Sequence, residues 1–165
     1  MAQNVIKNLQ EKGIDVQATI SMLNRALADE YLAATQYLAP IGCAKGKLRP
    51  EIEEEFKKHY EEELKHAEML KTRIIQLGGI PLMSPEEWYT HTNCGYTKPT
   101  DYNTKVLVTQ NLEVERKAED VYEAICKACK EAGDLITFHI ARKIWEDENK
   151  HEQDLEDFLN DMEII

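Results

Sequence analysis

The chain has 165 residues, the size of one domain, and its 31 acidic and 20 basic residues give a formal net charge of −11. Such an acidic chain is not expected to bind nucleic acid through phosphate contacts. The acidity either keeps the protein soluble or attracts small cations to an acidic surface or interior. No apolar run approaches the ~20 residues of a membrane span, and no basic-then-apolar segment opens the chain, so we expect a cytoplasmic protein without a membrane partner. Only 7 Gly and 5 Pro interrupt long runs of helix-favouring residues. We therefore predict an all-α fold, with residues 1–165 in a single domain.

The first predicted helix follows a short polar start that ends near Gly13. Asp15 is a suitable N-cap, and apolar residues then recur at spacings of three and four to about Lys45. Pro40 lies inside this pattern and should kink or shorten the helix, because proline lacks the backbone donor that a helix interior needs.

The second predicted helix begins at Pro50, where acidic residues occupy the first turn and interact favourably with the helix dipole. A Gly-Gly pair at 78–79, followed by a proline, ends this helix. Residues 80–100 then form one long connection, in which we expect a short helix to begin at Ser84.

The third predicted helix extends from Asp101 to about Ala132, where Gly133 breaks it. Asp134 caps a fourth helix that reaches about Met162. The outer connections are short, so the first and second helices should be antiparallel, as should the third and fourth. The long middle segment must then cross over the bundle. Four helices with one long crossover between the second and third are the ferritin-like variant of the four-helix bundle.

A repeat with an offset of 85 positions relates the two halves of the chain. A Glu-x-x-His motif of the second helix returns in the fourth, and a glutamate of the first helix returns in the third. A single motif would be a weak signal in a Glu-rich helix, whereas two copies at one offset, each preceded by a matched glutamate, are specific. Residues three apart project from one face of a helix, so each motif can bind one site. The repeated set consists of Glu30, Glu63 and His66 in the first half and Glu115, Glu148 and His151 in the second.

The charge of this set indicates a metal site. Apolar neighbours suggest that the repeated faces turn inward, and four carboxylates in a bundle core are very costly unless they are neutralised. Two divalent cations would balance the four negative charges, and two neutral imidazoles would complete the ligands. Zinc prefers fewer ligands richer in sulfur or nitrogen, whereas oxygen-rich ligation with imidazole suits iron or manganese. We therefore predict two iron or manganese ions per subunit. The alternative, in which these residues are solvated surface charges, would require the repeat to be accidental.

Several other residues allow more than one interpretation. Tyr37 and Tyr122 each follow their glutamate by seven positions, two helical turns. They either pack in the core, which we favour, or act beside the metal as hydrogen-bonding or redox-active phenols. His59 lies one turn before the second-helix glutamate and is expected at the rim or surface rather than as a ligand. Cys126 and Cys129 form a Cys-x-x-Cys motif, but without a second pair it is a weak signal for a redox or zinc site.

The repeated residues resemble those of bacterioferritins and, more closely, those of Dps-like mini-ferritins with a bacterioferritin-type di-iron site and a cysteine pair. The resemblance covers about residues 15–162. It implies that Glu63 and Glu148 bridge the two iron ions. The remaining ligands would be Glu30 and His66 for one ion and Glu115 and His151 for the other.

This chain also departs from related families. Bacterioferritins place a haem-binding Met directly after the second-helix glutamate, where this chain has Leu64, so no haem is expected. Typical Dps proteins place the iron site between subunits, whereas here one chain carries the complete set. The chain ends soon after the fourth helix, without the fifth helix of 24-subunit ferritins, and the resemblance implies a homo-oligomeric cage of twelve subunits.

The cysteine pair of the resembling mini-ferritins comes from the crossover and the third helix. It corresponds to Cys94 and Cys126 and implies a disulfide that leaves Cys43 and Cys129 free. The alternative is that all four are reduced and buried as small apolar residues, which is the usual state of cytoplasmic thiols.

The resemblance implies a ferroxidase and iron-storage protein. It would oxidise Fe(II) to Fe(III) with hydrogen peroxide or dioxygen and protect against oxidative stress. The alternative is a rubrerythrin-like di-iron peroxidase that does not store iron, which is disfavoured because the chain lacks the second Cys-x-x-Cys of a rubredoxin module. A purely structural bundle is disfavoured by the cost of four buried carboxylates.

Overall fold

Helices make up the regular structure of the part of the chain that the computed structural model describes, which is the backbone of residues 2–164 and the side chains of residues 6–164. The predicted all-α fold with one long crossover is confirmed. Four long helices form the bundle, and a short helix lies in the crossover between the second and third of them. None of the helices in the described range is long and apolar enough to cross a lipid bilayer. The helices are α1 (Ala2–Glu11), α2 (Val16–Leu38), α3 (Arg49–Gln76), α4 (Pro85–His91), α5 (Thr104–Ala132) and α6 (Leu135–Ile164).

Helix α2 begins where the sequence predicts and ends earlier. The Asp15 carboxylate accepts a hydrogen bond from the backbone N–H of Ala18 at 3.0 Å, which caps the first turn. The helix ends at Leu38 and not near Lys45, because Pro40 has no backbone N–H with which to continue the helical hydrogen bonds. Ala39 before it still has helical dihedrals and donates its N–H to the carbonyl of Thr35. Proline therefore shortens this helix and does not kink it.

Helix α5 begins later than predicted, because Asp101 is not its N-cap. The side chain of Asn103 takes this role and accepts a hydrogen bond from the backbone N–H of Lys105 at 3.0 Å. Asp101 supports the cap by accepting a hydrogen bond from the backbone N–H of Asn103 at 2.9 Å. The break between α5 and α6 agrees with prediction: Gly133 has a φ of 78°, a conformation that favours glycine, and Asp134 directly precedes α6.

The two short helices are stabilised by different means. Helix α1 replaces the polar start that the sequence suggested, because Leu9 packs against the bundle core and Ile6 lies close to Gly78. Ten residues are too few for a stable isolated helix, so this packing maintains α1. Helix α4 begins after Ser84 as predicted, and Ser84 and Glu87 cap each other reciprocally.

Two apolar clusters fill the bundle, one toward each end. The first cluster contains Leu27 of α2, Ile74 of α3 and Ile144 of α6. The second contains Tyr37 of α2 and Phe56 of α3, and it includes the early part of α5. The order of the two clusters along the chain reverses between α2 and α3, and again between α5 and α6, so each pair is antiparallel. On all four helices the Glu and His residues of the repeat fall between the two clusters.

The crossover is attached to α2 by Asp29, the buried residue that precedes Glu30. Its carboxylate accepts hydrogen bonds from the backbone N–H groups of Asn93 at 2.7 Å and Cys94 at 2.9 Å. The side chains of Thr92 and Asn93 donate to the same carboxylate. The position of the crossover is thus fixed directly beside one residue of the repeated set.

A buried ion pair attaches the turn between α5 and α6 to α3. Arg73 Nη2 lies 2.9 Å from Asp134 Oδ1, and Arg73 Nε donates a hydrogen bond to Thr137 Oγ1 at 2.8 Å. Asp134 also accepts a hydrogen bond from the Thr137 backbone N–H at 3.1 Å, which caps α6. All three side chains are buried, so each charge depends on its partner for compensation.

Candidate metal centre

The six repeated side chains meet in one polar layer between the two apolar clusters. All of them are buried, with relative exposures of at most 2%. The structure therefore brings together every residue that the repeat singled out, and their role as iron ligands stays a prediction. The layer contains Glu30 from α2, Glu63 and His66 from α3, Glu115 from α5, and Glu148 and His151 from α6.

One half-site surrounds Nδ1 of His66. Carboxylate oxygens of Glu63, Glu30 and Glu148 lie 3.2, 3.3 and 3.1 Å from this nitrogen. One ligand-type atom from each of the four residues lies within 4.8 Å of the others, which is close enough for a common ion. The first half-site thus draws on α2, α3 and α6.

The other half-site surrounds Nδ1 of His151. Oxygens of Glu63, Glu148 and Glu115 lie 3.3, 3.4 and 3.9 Å from this nitrogen. Glu63 uses Oε1 here and Oε2 in the first half-site, while Glu148 uses Oε2 here and Oε1 there. Each of these two carboxylates therefore offers one oxygen to each half-site, which is the geometry that a pair of bridged ions needs.

Two acidic residues hold the imidazoles in place from outside the centre. His66 Nε2 lies 3.2 Å from Asp147 Oδ2, and His151 Nε2 lies 2.9 Å from Glu62 Oε2. With Nε2 engaged in this way, Nδ1 of each ring faces the centre, an arrangement common among metal-binding histidines. Neither residue is among those for which the sequence predicts a role. Their signal was nevertheless present, because both directly precede a repeated glutamate and they lie 85 positions apart.

The two tyrosines link the halves of the repeat. Tyr37 donates a hydrogen bond to Glu115, and Tyr122 donates one to Glu30. Each phenol thus binds the glutamate of the opposite half, not the one that precedes it in the chain. Both tyrosines are also buried in the apolar clusters, so the packing and hydrogen-bonding interpretations both hold.

The four carboxylates differ in their electrostatic environment. Burial raises the pKa of Glu30 and of Glu115 well above the usual range, and the neighbouring charge of Glu148 raises both further. Burial also opposes ionisation of Glu63 and Glu148, but hydrogen bonds from the two histidines outweigh it and lower both pKa values. The two carboxylates shared by the half-sites are therefore the ionised ones when no cation is bound.

The surrounding carboxylates also determine the pKa values of the two histidines. Burial alone would lower the pKa of each imidazole, but the surrounding carboxylates raise the pKa of His66 strongly and that of His151 to about 12. Two protonated rings then balance the two ionised carboxylates. Protons thus supply the positive charge that this layer requires when metal is absent.

The donor atoms of the centre fit a pair of iron ions. Four of them are buried and have no well-aligned hydrogen bond among the described residues, although each lies 3.1–3.4 Å from an imidazole nitrogen or a carboxylate oxygen of the same layer. These atoms are Glu30 Oε2, Glu63 Oε1, Glu148 Oε1 and His151 Nδ1. Buried polar atoms without a partner are rare and costly, so they mark a place where something else binds. Four carboxylates and two imidazoles from four helices are the ligand set of di-iron carboxylate bundles.

His59 does not occupy the rim position that the sequence suggested. It is 1% exposed, and its ring stacks on that of His151 with centroids 4.0 Å apart. Burial, followed by the nearby His151, lowers the pKa of His59 to about 2, so this imidazole is neutral. Sequence spacing could not reveal this burial, because α6 and the ring of Tyr37 cover the histidine from other elements.

The four cysteines are free thiols in this structure. Cys94 packs beside Val114 and Ala118, which lie roughly two to three turns before Cys126 on α5. Cys126 itself belongs to the first apolar cluster. Burial raises the pKa of the Cys94 and Cys126 thiols, which slows their oxidation. The expected Cys94–Cys126 disulfide is not formed here and stays a prediction for the oxidised protein. Cys43 is exposed, contrary to the alternative of four buried thiols.

Leu64 occupies the position at which bacterioferritins have their haem-binding Met. It follows Glu63 on α3, and the residue is 38% exposed. The expectation that the protein binds no haem stays a prediction.

The fold and the six-residue centre together define a ferritin-like protein. Residues 20–165 match the Ferritin-like domain family, and the chain belongs to that family. A bacterioferritin from Desulfovibrio desulfuricans is 28% identical over 132 residues, covering 80% of this chain and 69% of the relative. A DNA protection during starvation protein from Pyrococcus furiosus is 29% identical over 153 residues, covering 92% and 82% of the two chains.

Solved structures support the same relationship. The dodecameric thioferritin of Bacteroides fragilis, a bacterioferritin-related protein, is 38% identical with a TM-score of 0.93, covering 97% of this chain and 94% of that chain. Dps from Staphylococcus aureus has a TM-score of 0.82 over 87% of this chain and 95% of that chain, and at 19% identity it supports the fold alone. The predicted resemblance to bacterioferritins and Dps-like proteins is thereby confirmed.

Proposed function

We propose that this protein is a ferroxidase that stores iron. The observation that carries the proposal is the sharing of Glu63 and Glu148 between two half-sites, because one chain can then hold two iron ions side by side. Its family membership supports the same activity.

The substrates would be two Fe(II) ions and an oxidant. Each Fe(II) loses one electron, and hydrogen peroxide takes up these two electrons with two protons and leaves as two water molecules; dioxygen is the other candidate oxidant. The four carboxylates favour oxidation because their negative charge stabilises Fe(III) more than Fe(II). Tyr37 and Tyr122 hold Glu115 and Glu30 through their phenol groups and so fix the spacing of the ligands.

We further propose that twelve copies assemble into a cage that takes up the oxidised iron. The B. fragilis thioferritin, 38% identical over 97% of this chain, is dodecameric. A net charge of −11 per chain would concentrate cations in the interior of such a cage. Consumption of peroxide together with Fe(II) would protect the cell against oxidative damage.

Iron loading distinguishes this proposal from its alternatives. The purified protein is mixed with excess Fe(II) and oxidant, and iron per chain is measured after gel filtration. Storage requires far more than two iron ions per chain. A limit of two would instead indicate the rubrerythrin-like peroxidase, and no bound iron would indicate a structural bundle.

A substitution in the centre tests the site itself. Glu115→Ala removes the only α5 carboxylate of the layer, so stopped-flow Fe(II) oxidation should slow by at least about 10-fold. Glu113→Ala removes an exposed carboxylate from the same helix and is the matched control. Helical content measured by circular dichroism should be the same for both variants. Wild-type oxidation rates in Glu115→Ala would contradict the assignment.

A further inference from the structure

The two ends of the metal centre are not equivalent, although the repeat relates them. Beyond His151 lies His59, and the position related to it by 85 residues is Ile144. Two acidic residues beside His59 also have apolar counterparts. The three polar residues are Glu55, His59 and Asp154, and their counterparts are Ile140, Ile144 and Met69.

The apolar end is closed by packing. Ile144 is fully buried in the first cluster, and Ile140 and Met69 pack against that cluster. At the other end of the centre, a histidine and two carboxylates occupy the positions related to this apolar set. That end therefore lacks the hydrophobic packing that stabilises the apolar end. The polar set therefore needs a function that the fold alone does not supply.

The polar set has the geometry of a cation site. His59 Nε2 lies 3.5 Å from Glu55 Oε1 and 3.7 Å from Asp154 Oδ2. These separations are too long for hydrogen bonds, and they match the spacing of two ligands that each lie ~2.1 Å from a common ion. Neither ring nitrogen of His59 has a hydrogen-bond partner among the described side chains, although the ring is 1% exposed. A buried, unpartnered imidazole thus faces two carboxylates.

The set also connects the centre with solvent. The side chains of Glu55 and Asp154 are 16% and 30% exposed, so an ion held there can exchange. They line a surface groove of about 210 Å³, whose other walls include Asp157 and Asp161 of α6. On the inner side, one atom of His59 lies within 4.8 Å of ligand-type atoms of Glu115 and His151. A row of carboxylates therefore leads from the surface to the second half-site.

We propose that Glu55, His59 and Asp154 form a third site for a divalent cation, through which Fe(II) passes from the acidic groove to the metal centre. Two carboxylates and one imidazole, with positions left for water, suit Fe(II) and other divalent first-row ions. Binding at this site does not depend on the proposed ferroxidase activity, whereas its role in transit does. The ion would move inward past the stacked rings of His59 and His151.

Cobalt tests the binding step. Crystals of the assembled protein are soaked with Co(II), and anomalous difference maps are calculated from data collected above the cobalt absorption edge. We expect two peaks in the centre and a third between Glu55, His59 and Asp154. The variant Glu55→Gln/Asp154→Asn should lose only the third peak. Two central peaks without a third in the wild type would overturn the inference and leave the ferroxidase proposal intact. A peak at the third site without the two central peaks would support the inference and contradict the ferroxidase proposal.

Oxidation kinetics test the transit step. In Glu55→Gln/Asp154→Asn the rate of Fe(II) oxidation at limiting Fe(II) should fall on the order of 10-fold, because charged clefts raise the arrival rate of ions by that factor or more. The control Glu54→Gln/Glu163→Gln removes two exposed carboxylates from the same two helices and should retain the wild-type rate. Equal rates in all three proteins would overturn the transit role.

Discussion

Zinc binding to the metal-free protein should release about four protons per chain. The raised pKa values of His66 and His151 place a proton on each ring, and those of Glu30 and Glu115 place one on each carboxyl group. All four groups must lose their protons to act as ligands, whereas Glu63 and Glu148, with lowered pKa values, are already ionised. Two Zn(II) ions thus replace four protons, and the net charge of the layer does not change.

This exchange sets the pH dependence of binding and stability. With four protons released, the combined affinity for two ions should fall by about 10⁴-fold for each pH unit of acidification. In the metal-free protein, the raised pKa values of the histidines stabilise the fold below the unfolded value of about 6.5, and this contribution is lost as pH rises toward the folded-state pKa. Zinc binding should therefore raise the Tm more near pH 8 than near pH 6. The reason is that the metal-free protein is less stable at the higher pH, whereas the zinc-bound protein does not depend on these protons.

Calorimetry measures the proton count. Zinc titrations are repeated at one pH in two buffers with different enthalpies of ionisation, and the difference in heat per ion gives the protons released. The variant Glu113→Gln, altered at an exposed position of α5, should release the same number. Fewer than two protons per chain would refute the reasoning, because the two histidines alone must release that many.

Three further predictions concern residues outside the ligand set. Tyr37→Phe removes a hydrogen bond to a carboxylate, worth about 1.5–3 kcal/mol, and should weaken zinc binding by roughly 10-fold in calorimetry, whereas unchanged affinity would mean that the phenol only packs. Arg73→Met leaves Asp134 buried without its partner and should lower the free energy of unfolding of the metal-free protein by about 3–5 kcal/mol in chemical denaturation, and a loss below about 1 kcal/mol would contradict the ion-pair argument. After peroxide exposure, peptide mapping should find a Cys94–Cys126 cross-link, and four alkylatable thiols would disprove it.

Much of the architecture could be predicted from the sequence because helix ends and inward faces are local signals. The repeat identified all six residues of the polar layer, since a motif that recurs at one offset in two helices needs no tertiary information. The Asp15 and Asp134 caps were also predicted correctly, because a capping side chain acts on the next few residues. Helix α1 was missed because its stability comes from packing against α2 and α3.

Tertiary contacts decided what the sequence could not. The burial of His59 depends on the rings of Tyr37 and His151, which come from other helices. The cross-pairing of the tyrosines with the opposite glutamates follows from the way α2 packs beside α5, and spacing along one helix cannot reveal it. Glu62 and Asp147 were overlooked although they repeat, because acidic residues beside a metal-binding motif in a Glu-rich helix look like surface charge.

The even division of the centre between the two halves bears on how such a chain could have arisen. Each helical hairpin supplies two glutamates and one histidine, so a single hairpin has only half of the ligands, and two identical hairpins would complete a symmetric set by dimerisation. The 85-residue repeat and the reciprocal tyrosine bonds are what gene duplication and fusion of such a hairpin would leave behind. Fusion also frees the two copies to diverge, since a mutation in a homodimer changes both ends of the site at once. The difference between His59 and Ile144, which occupy related positions in the two halves, is a divergence of this kind, and only a fused chain can acquire it.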